Sequence, residues 1–302
     1  MKRLLLFWGL FISMAPLMFS QKTDKDRSEK EDSYILMDLS YINDAVFMGR
    51  RDSIAAPYIL PSIGYYDRSG LFADVTVSYL TGSEEQRVDL FYITGGYLFD
   101  ADNWSGGISG TAYFYNDASY NVQSEVVADI TGLLSYDFKL MELSLYVSSY
   151  FNKNSSPDIF LGGILDRTFY AMDRHLLISP RISAFAGSQY FYEEYYTTSR
   201  LGNRKSGTNG QGSGQGGSTE PVTEVTTVEI SEASEFNILN VELSVPLQYH
   251  FDQFIVSFTP TWAFPQTSAT LTTDTDVFQE ELDNVFYWSV GLSYWFHTNK
   301  KD

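Results

Sequence analysis

Residues Leu71–Leu80 read LFADVTVSYL, placing Leu71, Ala73, Val75, Val77 and Tyr79 on one face and Asp74, Thr76 and Ser78 on the other. A period of two is the signature of a strand with one apolar and one polar face. The same pattern recurs in Met141–Phe151 (MELSLYVSSYF), where Met141, Leu143, Leu145 and Val147 oppose Glu142, Ser144, Tyr146 and Ser148. It returns at Asn240–His250 and at Phe286–Phe296. Soluble antiparallel sheets alternate too, so the pattern alone does not separate a sandwich from a barrel.

Loop lengths separate them. Strands are expected near 34–50, 57–66, 71–80, 87–99, 104–116, 124–137, 141–151, 158–170, 175–190, 236–250, 254–263 and 284–297. Their connections are alternately tight and long. The tight ones are Asp67–Gly70 (DRSG), Asp100–Asn103 (DADN), Asp137–Leu140, Ala171–Arg174 (AMDR) and Asp252–Gln253, rich in the side chains that stabilise turns. The longer ones are 51–56, 81–86, 117–123, 152–157, 191–235 and 264–283, and all fall on the opposite side. An all-β transmembrane up-and-down barrel of about twelve antiparallel strands follows, with both barrel ends on the periplasmic, tight-turn side. Pro61, Pro180 and Pro260 interrupt ladder bonding and imply bulges, so ten or fourteen strands remain alternatives. A soluble β-sandwich would leave the segregation of loop lengths without a cause.

The remaining segments suit that reading. Residues 1–20, MKRLLLFWGLFISMAPLMFS, have the charged start, apolar run and small final residue of a signal peptide. Residues 21–33 are charged and lack apolar residues, as expected of a flexible periplasmic lead-in, and residues 298–302 form a tail beyond the barrel at 34–297. The chain has no cysteine, which excludes a lipidated anchor, disulfides and thiolate metal sites. Its net charge of −18 becomes −20 once the leader with Lys2 and Arg3 is removed, which disfavours a nucleic-acid partner. Aromatics make up 16 % of residues, with 22 Tyr and 22 Phe, a composition suited to interfacial girdles. The mean hydropathy of −0.17 fits strands in which only alternate residues meet lipid.

Motifs that carry chemistry are scarce. Gly212–Gly217 (GSGQGG) matches a dinucleotide-binding string, but it lies in a low-complexity tract without strand–turn–helix context, so no cofactor is expected. That tract belongs to a long Gly-rich loop near 191–235, which should be an extracellular tether. His175, His250 and His297 fall at the periplasmic rim, away from any nucleophile constellation, so no catalytic residues are assigned and an enzyme is not expected. Asp274, Asp276, Glu280 and Glu281 share a loop that lacks EF-hand spacing. A solvated acidic surface is the first reading there, with weak divalent bridging to lipopolysaccharide the second.

The alternation directs Asp74, Arg87, Asp89, Glu125, Asp129, Glu142, Arg181 and Glu242 into the lumen, six acids against two arginines. That balance favours cations, while Tyr113, Tyr115, Tyr146 and Tyr150 would narrow the bore. Paired charges fastening a closed barrel are the alternative. A narrow channel for small polar or cationic solutes is the first functional reading. A non-conducting barrel presenting its loops to partners is the second, and a lipid-active enzyme a distant third.

Several segments also carry a resemblance. The leader ending MFS before Gln21, Tyr115–Glu125 (YNDASYNVQSE), Ser156–Gly163 (SPDIFLGG), Tyr195–Arg204 (YYTTSRLGNR) and Phe286–Phe296 (FYWSVGLSYWF) resemble the porin-like outer-membrane β-barrel proteins of Bacteroidota. The resemblance implies an outer-membrane location, contact with lipid and lipopolysaccharide, and insertion by the barrel-assembly machinery. It brings no catalytic motif. The last strand departs from the commonest assembly signal, because Phe296 is followed by HTNKKD.

Overall fold

Backbone N–H and C=O groups cannot be left unbonded in lipid, so a spanning sheet must close on itself. This chain does so. The computed structural model describes residues 33–51, 55–82, 86–195, 229–272 and 277–298. Its first eight strands are β1 (Tyr34–Ile42), β2 (Tyr58–Tyr66), β3 (Leu71–Leu80), β4 (Arg87–Ala101), β5 (Trp104–Tyr115), β6 (Val126–Asp137), β7 (Glu142–Asn152) and β8 (Asp158–Asp166). These pair with their sequence neighbours in turn, all antiparallel.

Three of the later staves are broken. β8 continues as β9 (Phe169–Ala171), β10 (Leu176–Ile178) continues as β11 (Arg181–Gly187), and β13 (Asn237–Ser244) continues as β14 (Leu247–Phe251). β15 (Phe254–Pro265) and β18 (Val285–His297) complete the wall. Counting each interrupted strand once gives twelve staves, and β18 pairs with β1 from Tyr34 opposite His297 to Ile42 opposite Ser289. Three short strands, β12 (Glu229–Ile230), β16 (Thr270–Thr272) and β17 (Val277–Gln279), form a separate small sheet from the long connections.

Two of the breaks hold a proline, and the third, at Arg167-Thr168, lies across from one of them. Pro180 and Pro246 stand between the halves of their staves and Pro260 lies within β15, each lacking a ladder donor. Their carbonyls still accept across the seam, from Arg167 N (3.3 Å), Ser179 N (2.9 Å) and Val245 N (3.2 Å) respectively. The wall therefore bends without losing closure.

Side-chain burial separates two solvents. Leu145, Ile108 and Ile130 are 57, 56 and 52 % exposed on the outer surface, whereas Thr76, Ser144 and Asp129 inside are 3, 3 and 1 % exposed. Aromatic side chains ring both ends of the outer band. Tyr65, Tyr97, Trp104, Phe138, Phe169 and Phe254 lie near the tight turns, and Phe114, Phe151, Trp262 and Phe286 near the long loops. This lipid-facing band points to a Gram-negative outer membrane.

At the turn end, Gly70 adopts φ +98° and a Cβ there would meet the Leu98 carbonyl at 2.1 Å, so only glycine suits this turn. In the same turn the Asp67 carboxyl accepts from Ser33 Oγ, Tyr65 OH and Ser69 N. Hydrogen bonding, foremost from Ser69, holds it well below the usual carboxylate range.

One expected strand is much shorter than its sequence suggested. The reading of 34–50 as one strand is corrected: β1 ends at Ile42, and residues 44–50 are all buried. Likewise β6 starts at Val126, and residues 121–125 before it are buried in a turn instead of extending the wall. Both departures lie at the loop end.

Replacing Leu145 by Arg should cost about 2–4 kcal/mol, as for a cation forced toward the bilayer midplane. Ser144→Ala, which removes one buried hydroxyl bond, should cost about 1 kcal/mol. Urea titrations of the barrel refolded into vesicles measure both, and equal costs would contradict the register.

Candidate functional site

The interior has two zones with different chemistry. In the middle, small hydroxyl side chains face one another across strands. Thr94 Oγ1 lies 3.1 Å from Thr111 Oγ1, Thr131 Oγ1 2.6 Å from Ser148 Oγ, and Ser135 Oγ 2.6 Å from Ser144 Oγ. Carboxylates sit among them. Asp74 accepts from Thr76 (3.0 Å), Asp129 from Thr131 (2.6 Å) and Tyr113 OH (2.8 Å), and Glu242 from Asn240 Nδ2 (2.8 Å) and Tyr287 OH (3.3 Å). Asp38, absent from the sequence-derived set, accepts from Ser40 (2.8 Å) and Ser293 (2.6 Å). It shares the inward parity of Tyr34, Leu36 and Ser40, so extending the alternation through β1 would have found it. These bonds come from neutral donors.

The loop end is built otherwise. There the chain turns into the barrel after Ile42, held at the rim by Asn43 N donating to the Trp288 carbonyl at 3.1 Å. Asp44 then receives Arg51 Nη1 at 2.7 Å and the Ala56 N–H at 3.0 Å. Phe47 and Arg50 exchange backbone bonds of 2.8 and 2.9 Å around Met48 (φ 50°) and Gly49 (φ 77°). Two successive positive φ values make a tight reversal that favours glycine at its second position. A Cβ on Gly49 would also stand 2.9 Å from Asn240 Oδ1.

This reversal carries an aromatic wedge. The Phe47 ring packs 5.5 Å from Tyr150, 5.7 Å from Phe160 and 5.0 Å from Phe191. Phe191 belongs to α1 (Tyr190–Tyr195), a single helical turn with no counterpart in the sequence reading. Asp158 fixes it, accepting from the backbone N–H groups of Tyr190 and Phe191, both at 2.8 Å, and from Ser188 Oγ at 2.6 Å. A carboxylate at a helix start satisfies donors that have no partner within the helix. Glu194 ties the same turn to Asn154 N (2.8 Å) and Ser155 Oγ (2.7 Å).

Arg50 locks the wedge. Its Nη2 donates to the Thr267 carbonyl (2.6 Å) and to Glu280 (3.2 Å), and its guanidinium lies 4.8 Å from the Tyr192 ring centroid. Glu280 also accepts from Tyr192 OH (2.9 Å) and Ala269 N (2.9 Å). Glu280 is thus engaged with the wedge; Glu281 beside it is exposed, and Asp274 and Asp276 lie outside the described residues.

The other sequence-derived residues fall into place around these zones. Asp89 at the loop end binds Arg87 Nε (2.9 Å), Tyr58 OH (2.5 Å) and Ser119 Oγ (2.6 Å), while Arg87 also donates to the Ala118 carbonyl. Glu125 meets Lys153 Nζ at 3.3 Å. Glu142 and Arg181 lie together toward the turn end with Asp166. His175, in a tight turn, sits 2.7 Å through Nδ1 from the His250 carbonyl, and His297 ends β18. The Gly-rich tract at 212–217 lies outside the described residues.

No family profile and no curated protein matches the chain. Among solved structures, it is similar to a KdgM porin (10 % identity, 87 % of this chain and 99 % of that one, TM-score 0.46). A NanC porin follows at 10 % identity, covering 86 % of this chain and 98 % of that one, with a TM-score of 0.45. LpxR from Salmonella typhimurium stands at 11 % identity, 87 % of this chain and 100 % of that one, with a TM-score of 0.43. Likenesses this distant carry no argument about solute or activity. The closed barrel rests on the strand pairing itself.

The absence of native cysteine provides a clean test of the wedge. A thiol introduced by Phe47→Cys should resist a membrane-impermeant maleimide on intact cells. Adding Arg50→Gln should raise its labelling rate at least tenfold, because three of the contacts holding the reversal are lost. Equal labelling with and without Arg50 would show that the wedge is held by something else.

Proposed function

We propose that this chain is a porin-like outer-membrane barrel of the Bacteroidota type, forming a narrow channel for small polar or cationic solutes that is shut at its loop end by the Phe47 wedge. In this reading the tight turns face the periplasm and the long connections face outside. One observation carries it. The inward acids of the middle zone, Asp38, Asp74 and Asp129, are held by hydroxyl groups. By contrast, the four ion pairs found among the described residues, Arg50–Glu280, Arg51–Asp44, Arg87–Asp89 and Lys153–Glu125, all stand at the loop end. A lumen filled only for stability would pair its buried acids with cations, since unpaired charge is costly there. Carboxylates without such partners instead favour passing cations, as acidic rings do in cation-selective pores.

A second reading has its own support. The inward residues Thr76, Asp129 and Ser144 are at most 3 % exposed, as they would be in a barrel that never conducts and serves as a scaffold for its loops. A lipid-active enzyme has no comparable support, because the three histidines gather toward the turn end.

Planar-bilayer recording decides between channel and scaffold. The wild-type barrel should be mostly silent with brief openings. Arg50→Gln should open it for long periods, with a reversal potential in a KCl gradient that favours K⁺ over Cl⁻. Silence of both proteins, each shown to be folded by heat-modifiable gel mobility, would leave the scaffold. A preference for Cl⁻ would remove the role given to the acids.

A further inference from the structure

Arg50 and Arg181 each keep Nε and Nη1 buried without a hydrogen-bond partner, but among the described residues Arg50 has an ion pair with Glu280 and Arg181 has none. Arg181 is 6 % exposed. A buried guanidinium with unused donors is costly unless something accepts from them. Acceptors are close but not bonded. Arg181 on β11 stands opposite Asp166 on β8, which stands opposite Glu142, the first residue of β7. Glu242 lies on the next stave, opposite Ser183. These three carboxylates are the charges that Arg181 feels most, yet none of the ion pairs among the described residues includes it. The register thus gathers a buried guanidinium and three acids on neighbouring staves without pairing them with each other, Glu242 accepting instead from Asn240 and Tyr287.

We infer that Arg181, Asp166, Glu142 and Glu242 form a binding subsite for a small zwitterion, a solute bearing an ammonium and a carboxylate a few bonds apart. The charges select this class. A simple cation would satisfy the acids but leave the Arg181 donors unused and be repelled by them. A simple anion would pair with Arg181 while facing three carboxylates. A zwitterion directs its carboxylate to Nε and Nη1 of Arg181 and its ammonium to the acids. Glu142 directly follows the turn at 138–141, which places the group at the turn end, opposite to the Phe47 wedge.

The inference deepens the channel reading, since it names a solute class for the lumen, but its test does not depend on conduction. Saturation-transfer NMR on the folded barrel in detergent at pH 7 would use glycine, methylammonium, acetate and glycerol as probes. Glycine should bind, with methylammonium and acetate at least tenfold weaker and glycerol unable to compete. Arg181→Gln should weaken glycine at least tenfold and erase its advantage over methylammonium, and Glu142→Gln should weaken glycine and methylammonium together. Heat-modifiable mobility certifies that each variant is folded. Methylammonium binding as well as glycine, glycerol competing equally, or no glycine binding to the folded wild-type barrel would each overturn the assignment. Glycine binding by a barrel silent in bilayers would overturn the channel and leave the subsite standing.

Discussion

Closure of β1 on β18 is the constraint on which the rest depends. Nine consecutive residue pairs from Tyr34–His297 to Ile42–Ser289 join the two ends of a wall that would otherwise present an unbonded edge to lipid. Once the ring is shut, alternate residues of every stave must face either lipid or a common interior. The apolar half of each period, such as Leu143, Leu145 and Val147 on β7, has no core to enter and turns to lipid. The polar half is collected in a common interior, where Ser144 and Ser148 find cross-strand hydroxyl partners. Inside and outside are therefore inverted relative to a soluble sandwich, and the sheet needs no second layer.

A ring of twelve staves encloses more than small side chains can fill, and the chain fills the remainder differently at its two ends. Toward the turns, Tyr34, Tyr66 and Phe72 stack with centroids 5.0 and 5.7 Å apart. Toward the loops, connecting segments supply the filling: the reversal at 47–50, the turn at 121–125 and the helix at 190–195. Backbone that leaves the wall loses its ladder partners and must find others. Asp44, Asp158, Glu194 and Glu280 provide them, each accepting from at least one backbone N–H. Much of the chain's acidity at this end thus serves to hold irregular backbone inside a barrel.

The wall was legible in the sequence and its filling was not, for one physical reason. A lipid-facing strand declares itself by period two, and tight turns declare themselves through Asp, Asn, Ser and Gly, so the staves lie close to where alternation placed them. Asn43-Asp44 after Ile42 is a turn-type pair, but the β-prone Val46-Phe47-Met48 that follows gives no local sign that it packs inside the barrel. What turns it inward is distant: Thr267, Glu280 and Tyr192 around Arg50, and Tyr150, Phe160 and Phe191 around Phe47. The Tyr190–Tyr195 turn is equally silent, because its helical state depends on Asp158, more than thirty residues earlier. Of the charges directed inward by parity, sequence gave the identities but not the groupings. Asp89 and Arg87 meet within one strand, whereas Glu142 and Arg181 come together only through the β7–β8–β11 register.

That register also explains why Arg181 differs from Arg50. Arg50 sits on a segment free to choose its path, and it settles where a carbonyl, a carboxylate and an aromatic face can all receive it. Arg181 is fixed by the ladder, with its Cα opposite Asp166 and Ser244, and its side chain takes whatever surroundings the wall supplies. Those surroundings are acidic but leave two of its nitrogens unbonded. A residue held rigidly by backbone pairing, with donors it does not spend on its own neighbours, is preorganised for a group that arrives from outside the chain. At the loop end Arg50, Arg51 and Arg87 each reach a carboxylate, whereas the wall holds Arg181 outside every ion pair among the described residues.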